Sequence, residues 1–174
     1  MTSSPRKLYL GELNGTALGD FRLVCSDFGL VAVEWADSQP ELDSYLRRLK
    51  LPVEQNQKQI LPYAKELGEY VKGKRRKFSF EIDWSVLKPF QQKMLKIVYE
   101  IPYGEIRTYA DIAIEMGHPN AYRAVGRANA TNPMPLVLPC HRVIGRDGKL
   151  HGYGGGEGLK TKEWLLKMEG AVVV

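Results

Sequence analysis

Cysteine, histidine and long apolar runs are all scarce in this chain of 174 residues. The two cysteines, Cys25 and Cys140, lie far apart and form no framework of close, even spacings, so free thiols in a reducing compartment are expected, not a disulfide. The three histidines all fall at or after His118, and no C-x-x-C or H-x-x-x-H spacing occurs, which argues against a metal site. No stretch approaches the roughly 18 apolar residues of a membrane span, and the opening MTSSPRKLYLGELNG has no apolar core of signal-peptide length. A soluble, intracellular protein is therefore expected, and neither repeats nor low-complexity segments complicate that reading.

What is present is an uneven distribution of charge. The net charge is +5, and between Met116 and Gly156 the bases Arg123, Arg127, Arg142, Arg146 and Lys149 face one acid, Asp147. Such a segment suits a polyanion such as nucleic acid, although a solvated basic face would read the same. The other basic run, KGKRRKF from Lys72, lies between a helical pattern and a strand-like one and reads as an exposed connector.

Organisation along the chain points to an α+β fold. FRLVCSDFGLVAVEW holds two strand-like runs around Asp27-Phe28-Gly29, a hairpin signal, with KLYLGEL as a neighbouring strand. PELDSYLRRLK reads as a short helix, and Ile60, Ala64, Leu67 and Val71 mark the apolar face of another. KFSFEIDW alternates like a strand and closes a small amino-terminal domain, 1–83, of strands and helices. The remainder, 84–174, is expected to be mostly helical and winged-helix-like. It opens on a helix started by Pro89, with Phe90, Met94, Leu95 and Val98 on one face. Thr108 and Asp111 form a capping-box pattern for a helix ended by Gly117. Asn120 is placed to cap the next helix, AYRAVGRANA, which Thr131-Asn132-Pro133 stops. Two short helices around a tight turn outline a helix-turn-helix. Ala124 and Gly126 thin the second helix, while Arg123 and Arg127, one turn apart, add basic groups to nearly one face.

LVLPCHRVIG carries the chemistry. A thiol is a weak nucleophile at its free pKa of about 8.5, and a neighbouring base or cation raises its thiolate fraction. Cys140 has His141 and Arg142 beside it. A buried structural thiol, a zinc site using Cys140, His141 and His151, and a cysteine hydrolase are the other readings. The zinc reading lacks ligand spacing, and the hydrolase leaves the basic helical surroundings without a role.

PCHRVIG, preceded by RAVGRANATNPMPLVL and followed by GYGGG and KEWLLKMEG, resembles the carboxy-terminal domain of the O6-alkylguanine-DNA alkyltransferases, also called methylated-DNA-protein-cysteine methyltransferases. The likeness runs from about Phe90 to Gly170; the amino-terminal half resembles that family only in length and outline. It implies single-turnover repair, in which the alkyl group of O6-alkylguanine in duplex DNA passes to Cys140 after the nucleotide is flipped through a minor-groove helix-turn-helix. O4-alkylthymine stays open as a further substrate. The resemblance makes His141 the base that takes the thiol proton through a water, Glu169 the carboxylate that orients it, and Asn132 the brace of the turn. Tyr109 would assist nucleotide rotation and donate to the guanine ring. Arg123 would fill the gap left by the flipped base, and Arg127, Ala124 and Gly126 would complete the DNA-binding helix. Cys140 and Val143 would offer main-chain carbonyls to the guanine amino group, and Gly154 its N–H near the alkylated oxygen, with Pro135 and Tyr153 lining the pocket. No cofactor, no metal and a monomer acting on double-stranded DNA are implied. Two rival classes remain: a non-catalytic lesion sensor of the same fold, which would lack the cysteine, and a transcription regulator, which would not need the thiol and histidine.

Overall fold

The computed structural model describes residues 6–171. It divides into two compact units between Val86 and Leu87.

The first unit is a sheet with helices. Strands β1 (Leu8–Thr16), β2 (Gly19–Ser26) and β3 (Gly29–Trp35) pair antiparallel in sequence order, and Asp27-Phe28-Gly29 supplies the β2–β3 turn. β3 reads GLVAVEW and is buried at all but one position, the pattern of a strand covered on both faces. On one face Leu8, Val24 and Ala32 meet Leu42 and Leu46 of α1 (Gln39–Leu49). On the other, α2 (Gln57–Val71) approaches Gly11 so closely that a Cβ there would meet Ile60 Cγ1 at 2.7 Å. The apolar face expected of α2 is buried, with Ile60, Ala64, Leu67 and Val71 all inward. A strand absent from the sequence reading, β4 (Val53–Gln55), joins β1 in parallel and gives the order β3-β2-β1-β4. Its three residues are exposed, so it carries no alternation to read.

KFSFEIDW does not form the expected strand. Its alternation is genuine, since Phe78 and Phe80 pack against Tyr70 and Tyr63 of α2, with ring centroids 5.6 and 4.9 Å apart. Its backbone, however, is bonded elsewhere. The Ser79 N–H donates to the buried Glu66 carboxylate at 2.9 Å, and only an isolated bridge links Ile82 to Leu30. Period-two burial here comes from packing on a helix, without a ladder.

The second unit is mostly helical. α3 (Pro89–Tyr99) starts on Pro89 and buries Met94, Leu95 and Val98, but Phe90 is 40% exposed because burial begins only one turn into the helix. A two-residue parallel pair, β5 (Arg107–Thr108) with β6 (Val143–Ile144), ties the start of α4 (Tyr109–Glu115) to the segment just after Cys140. The capping box is present in full: Asp111 N–H donates to Thr108 Oγ1 at 3.0 Å, and Thr108 N–H to Asp111 Oδ2 at 2.9 Å. Asn120 does not cap the next helix. The turn closed by Ala121 N–H on His118 O delays α5 (Tyr122–Ala130) by one residue, and Ala121 takes the cap position with no side-chain bond. α4 and α5 still form two short helices around a tight turn, as expected. The last helix, α6 (Leu159–Met168), buries Thr161, Lys162, Leu165 and Leu166. Among the described residues no helix is long and apolar enough to cross a membrane.

Gly29 has φ +144°, and a Cβ on it would lie 2.5 Å from the main-chain oxygen of Glu81. Gly29→Ala is therefore expected to cost about 2–4 kcal/mol, combining backbone strain and overpacking. Gly73→Ala, at φ +73° in open space, should cost only about 1 kcal/mol. Urea unfolding of both variants checks the difference; equal losses would remove the role given to the Glu81 contact.

Candidate active site

The apolar run Leu136–Leu138 is fully interior and delivers Cys140 to a site where it is only 5% exposed. Asn132 clamps this run at both ends: its Oδ1 accepts from Met134 N–H at 2.9 Å and its Nδ2 donates to Leu138 O at 2.8 Å. From α5, the buried Asn129 donates its amide to the Cys140 carbonyl at 3.1 Å. Residues Cys140–Arg142 then make one tight helical turn leading into β6. Burial pushes the Cys140 thiol up, against the pull of Asn132 and Lys162, which stabilise the anion.

His141, Arg142 and Glu169 form one buried cluster. His141 Nε2 lies 2.8 Å from Glu169 Oε1, and Arg142 reaches the same carboxylate with NH2 on Oε1 at 2.8 Å and Nε on Oε2 at 2.9 Å. Arg142 NH1 also donates to Ile101 O at 2.7 Å. Burial alone would raise the Glu169 pKa, but bonds from His141 and Arg142 outweigh it and hold the carboxyl well below the usual range. An ionised carboxylate only accepts, so His141 Nε2 carries the hydrogen and Nδ1 is the basic nitrogen. Burial pushes the His141 pKa down despite Glu169, so at neutral pH the imidazole is an uncharged acceptor. Arg142, expected as a cation beside the thiol and as part of a basic surface, is instead consumed inside this cluster.

Tyr109 is the first residue of α4, and its hydroxyl donates to His151 O at 3.4 Å. Its pKa is raised by burial and by Cys140, opposed by Asn129. A cleft of about 700 Å³ is lined by Tyr109, Gly126, Ala130, Gly145, His151 and Gly152 among its residues. On α5 the helix divides cleanly. Val125, Ala128 and Asn129 face inward, whereas Arg123 and Arg127 are exposed and Arg123 lies over the Tyr122 ring at 5.9 Å. Gly126 leaves open space where a side chain would stand, and Ala124 is half-buried. Pro135 and Val143 are buried, Tyr153 is half-buried, and Gly154 sits against Ala130 O, which a Cβ would meet at 3.3 Å.

The structure thus brings Cys140, His141, Glu169, Asn132 and Tyr109 into one region. Sequence reasoning missed Asn129 and Lys162, although both leave a signal: each is a polar residue at a helix position whose neighbours one turn away are apolar. Lys162 is fully buried, and Nζ donates to Val143 O at 2.7 Å and to His151 O at 2.9 Å. Among the described residues no group of three or more His, Cys, Asp or Glu side chains is arranged to hold a metal ion.

Comparison with known proteins identifies the family. Residues 89–171 match the model of the 6-O-methylguanine DNA methyltransferase DNA-binding domain, and residues 12–84 that of the ribonuclease-like domain of the same enzyme. A methylated-DNA–protein-cysteine methyltransferase of Methanosarcina barkeri is 46% identical over 125 residues, 71% of this chain and 77% of that one. One of Mycolicibacterium paratuberculosis is 40% identical over 157 residues, covering 86% and 92%. The chain belongs to the 6-O-methylguanine DNA methyltransferase family. Among solved structures, Mycobacterium tuberculosis OGT in complex with DNA is similar at 32% identity and a TM-score of 0.76, covering 93% of this chain and 92% of that one. The family match to 12–84 also extends the resemblance to the amino-terminal half, where the sequence reading had only length and outline. Every residue of the Cys140, His141 and Glu169 cluster lies in the segment matched to the family's DNA-binding domain.

Glu169 links pH to stability with a definite sign. Its folded pKa lies below the unfolded value of about 4.5, so its contribution is complete above that pH and erodes as pH falls toward the depressed folded value. Glu169→Gln should lower stability at neutral pH by about 3–5 kcal/mol, because Arg142 would be left buried without a counter-charge. The gap between wild type and variant should narrow below about pH 4.5. Denaturant titrations at several pH values check this; a gap independent of pH would mean that the carboxylate is not ionised in the folded protein.

Proposed function

We propose that this chain repairs DNA by accepting the alkyl group of O6-alkylguanine on Cys140, once per molecule. The observation that carries the reading is a buried thiol next to a histidine whose Nε2 is held by a buried carboxylate at 2.8 Å, beside a helix with outward arginines. The lesion-sensor alternative is not favoured, because Cys140 is present and the relatives carry the name of the transferase.

In this mechanism His141, made basic at Nδ1 by the bond to Glu169, takes the Cys140 proton through a water. The sulfur attacks the alkyl carbon, an S–C bond forms, the C–O6 bond breaks, and the electron pair leaves with guanine. Tyr109 donates a proton to the ring and regains one, by way of solvent, from the His141 that took the thiol proton, so guanine leaves neutral and the product is a thioether. The carbonyls of Cys140 and Val143 receive the guanine amino group, Gly154 N–H lies near the alkylated oxygen, and Pro135 and Tyr153 line the pocket.

The target carbon is inaccessible in a stacked duplex, so extrusion of the nucleotide is required, at a cost of a few kcal/mol. Arg123, exposed on α5, fills the vacated space, while Arg127, Ala124 and Gly126 meet the groove and backbone. The segment 84–174 carries binding and chemistry, 1–83 is structural, and the protein acts inside the cell as a monomer.

Mixing the protein with a duplex containing O6-methylguanine should add one methyl to Cys140 by intact mass and peptide mapping. Cys140→Ser should take none while binding the duplex nearly as well, because affinity rests on the basic helix and the phosphates. A methyl on another residue would overturn the assignment. Arg123→Ala should slow transfer from duplex DNA at least about tenfold more than transfer from the free base O6-benzylguanine, which needs no extrusion. Equal slowing on both would reduce Arg123 to a structural part of the pocket.

A further inference from the structure

Only half of the Asn129 side chain is employed by the roles above. The residue is 4% exposed on the inner face of α5, and its Nδ2 donates to the Cys140 carbonyl at 3.1 Å. A carbonyl oxygen only accepts, so the amide nitrogen faces Cys140 and the amide oxygen is turned away from it. That oxygen, Oδ1, is buried and has no hydrogen-bond partner among the described residues. A buried acceptor without a donor is costly, and in a folded protein it calls for an explanation. Satisfying Cys140 does not supply one, because Cys140 O also accepts from Val143 N–H. The surroundings point instead to a ligand. Gly126 and Ala130, which flank Asn129 on α5, line the cleft together with Tyr109. Asn129 also opposes the rise in the Tyr109 pKa, as an amide close to that hydroxyl would.

We infer that Asn129 is a substrate-binding residue: Oδ1, with the amide anchored on the Cys140 carbonyl through Nδ2, accepts a hydrogen from the exocyclic amino group of the O6-alkylguanine base. The inference rests on the functional reading above and deepens it. Alkylation at O6 removes the N1 hydrogen of guanine, so in a nucleotide the amino group is the one N–H donor the base retains. The ring nitrogens accept, and cannot meet a second acceptor.

In the functional reading the amino group comes to the carbonyls of Cys140 and Val143. Cys140 O already accepts from Val143 N–H and from Asn129, so a hydrogen directed at it is shared with Oδ1, the acceptor beside it that has no donor of its own. Selectivity follows from that bond. A base that carries the amino group satisfies Oδ1, whereas a base of the same shape without it leaves the oxygen buried and unmatched in the complex. A site with such an acceptor favours the first over the second.

Single-turnover transfer from two duplexes of one sequence tests the contact, one containing O6-methylguanine and the other O6-methylhypoxanthine, which lacks only the amino group. The methyl on Cys140 is read by mass, below saturation. The wild-type protein should react at least about tenfold faster with the guanine duplex. In Asn129→Leu, which keeps volume and removes the acceptor, that preference should shrink at least about fivefold. Asn129→Asp keeps acceptor oxygens and loses the N–H to Cys140, so it should retain the preference. Differences in extrusion between the duplexes are common to all three proteins and cancel. No preference in the wild type, or an undiminished one in Asn129→Leu, overturns the proposal. A preference lost in both variants gives the contact to the Cys140 carbonyl, steered by Asn129, and overturns it equally. Asn129→Ala, which adds no atoms to the interior, replaces the leucine variant if that one does not fold. Failure of the functional reading appears as no adduct with either duplex, and failure of this inference as adducts formed without these differences.

Discussion

The second unit depends on one carboxylate shared by two neighbours. Glu169, at the end of α6, takes His141 on Oε1 and Arg142 on both oxygens, all within 2.9 Å and all buried. A buried carboxylate is tolerable only when its lone pairs are filled and its charge is matched, and Arg142 supplies the charge. Because His141 and Arg142 are consecutive, closing the cluster fixes the turn that holds Cys140 against the end of α6. Arg142 extends the same constraint to Ile101 O, just beyond α3. His141 is thereby held in one tautomer, and burial keeps it uncharged despite the carboxylate beside it.

Much of this was legible in the sequence, for identifiable reasons. The capping box at Thr108 and Asp111, the Pro89 start and the Asp27-Phe28-Gly29 turn are local devices whose chemistry is complete within four residues, and each appears as read. Readings that needed knowledge of a distant partner fared worse. Phe78 and Phe80 alternate because α2 lies beneath them, and the sequence cannot distinguish that from a neighbouring strand. β4 exists because β1 offers an edge, so its own three residues carry no pattern. Arg142 read as a surface base because its partner is 27 positions away. The family resemblance rests on segments that span those distances, which is why it paired His141 with Glu169 where periodicity alone did not.

Charge is sorted accordingly. Of the basic residues between Met116 and Gly156, Arg142 is directed inward, while Arg123, Arg127, Arg146 and Lys149 are exposed. Asp147 does not simply neutralise that surface, since Oδ1 accepts from Lys149 N–H and pairs with His151 Nε2, both at 3.0 Å.

A thiol only 5% exposed cannot go to its substrate, so the substrate must come to it, and the walls of the site have to be set before it arrives. Two carbonyls at that site illustrate how. The oxygen of Cys140 accepts from Asn129 and that of Val143 from Lys162. The Cys140 oxygen also accepts from the Val143 N–H, so both of its lone pairs are met inside the protein and its direction is fixed. The helix that presents Arg123 and Arg127 outward also supplies Asn129 inward, and the helix that ends at Glu169 also supplies Lys162. Each helix therefore serves two purposes across its width, with charge or chemistry at one edge and a donor for the pocket wall at another. Displacing either helix would disturb both together.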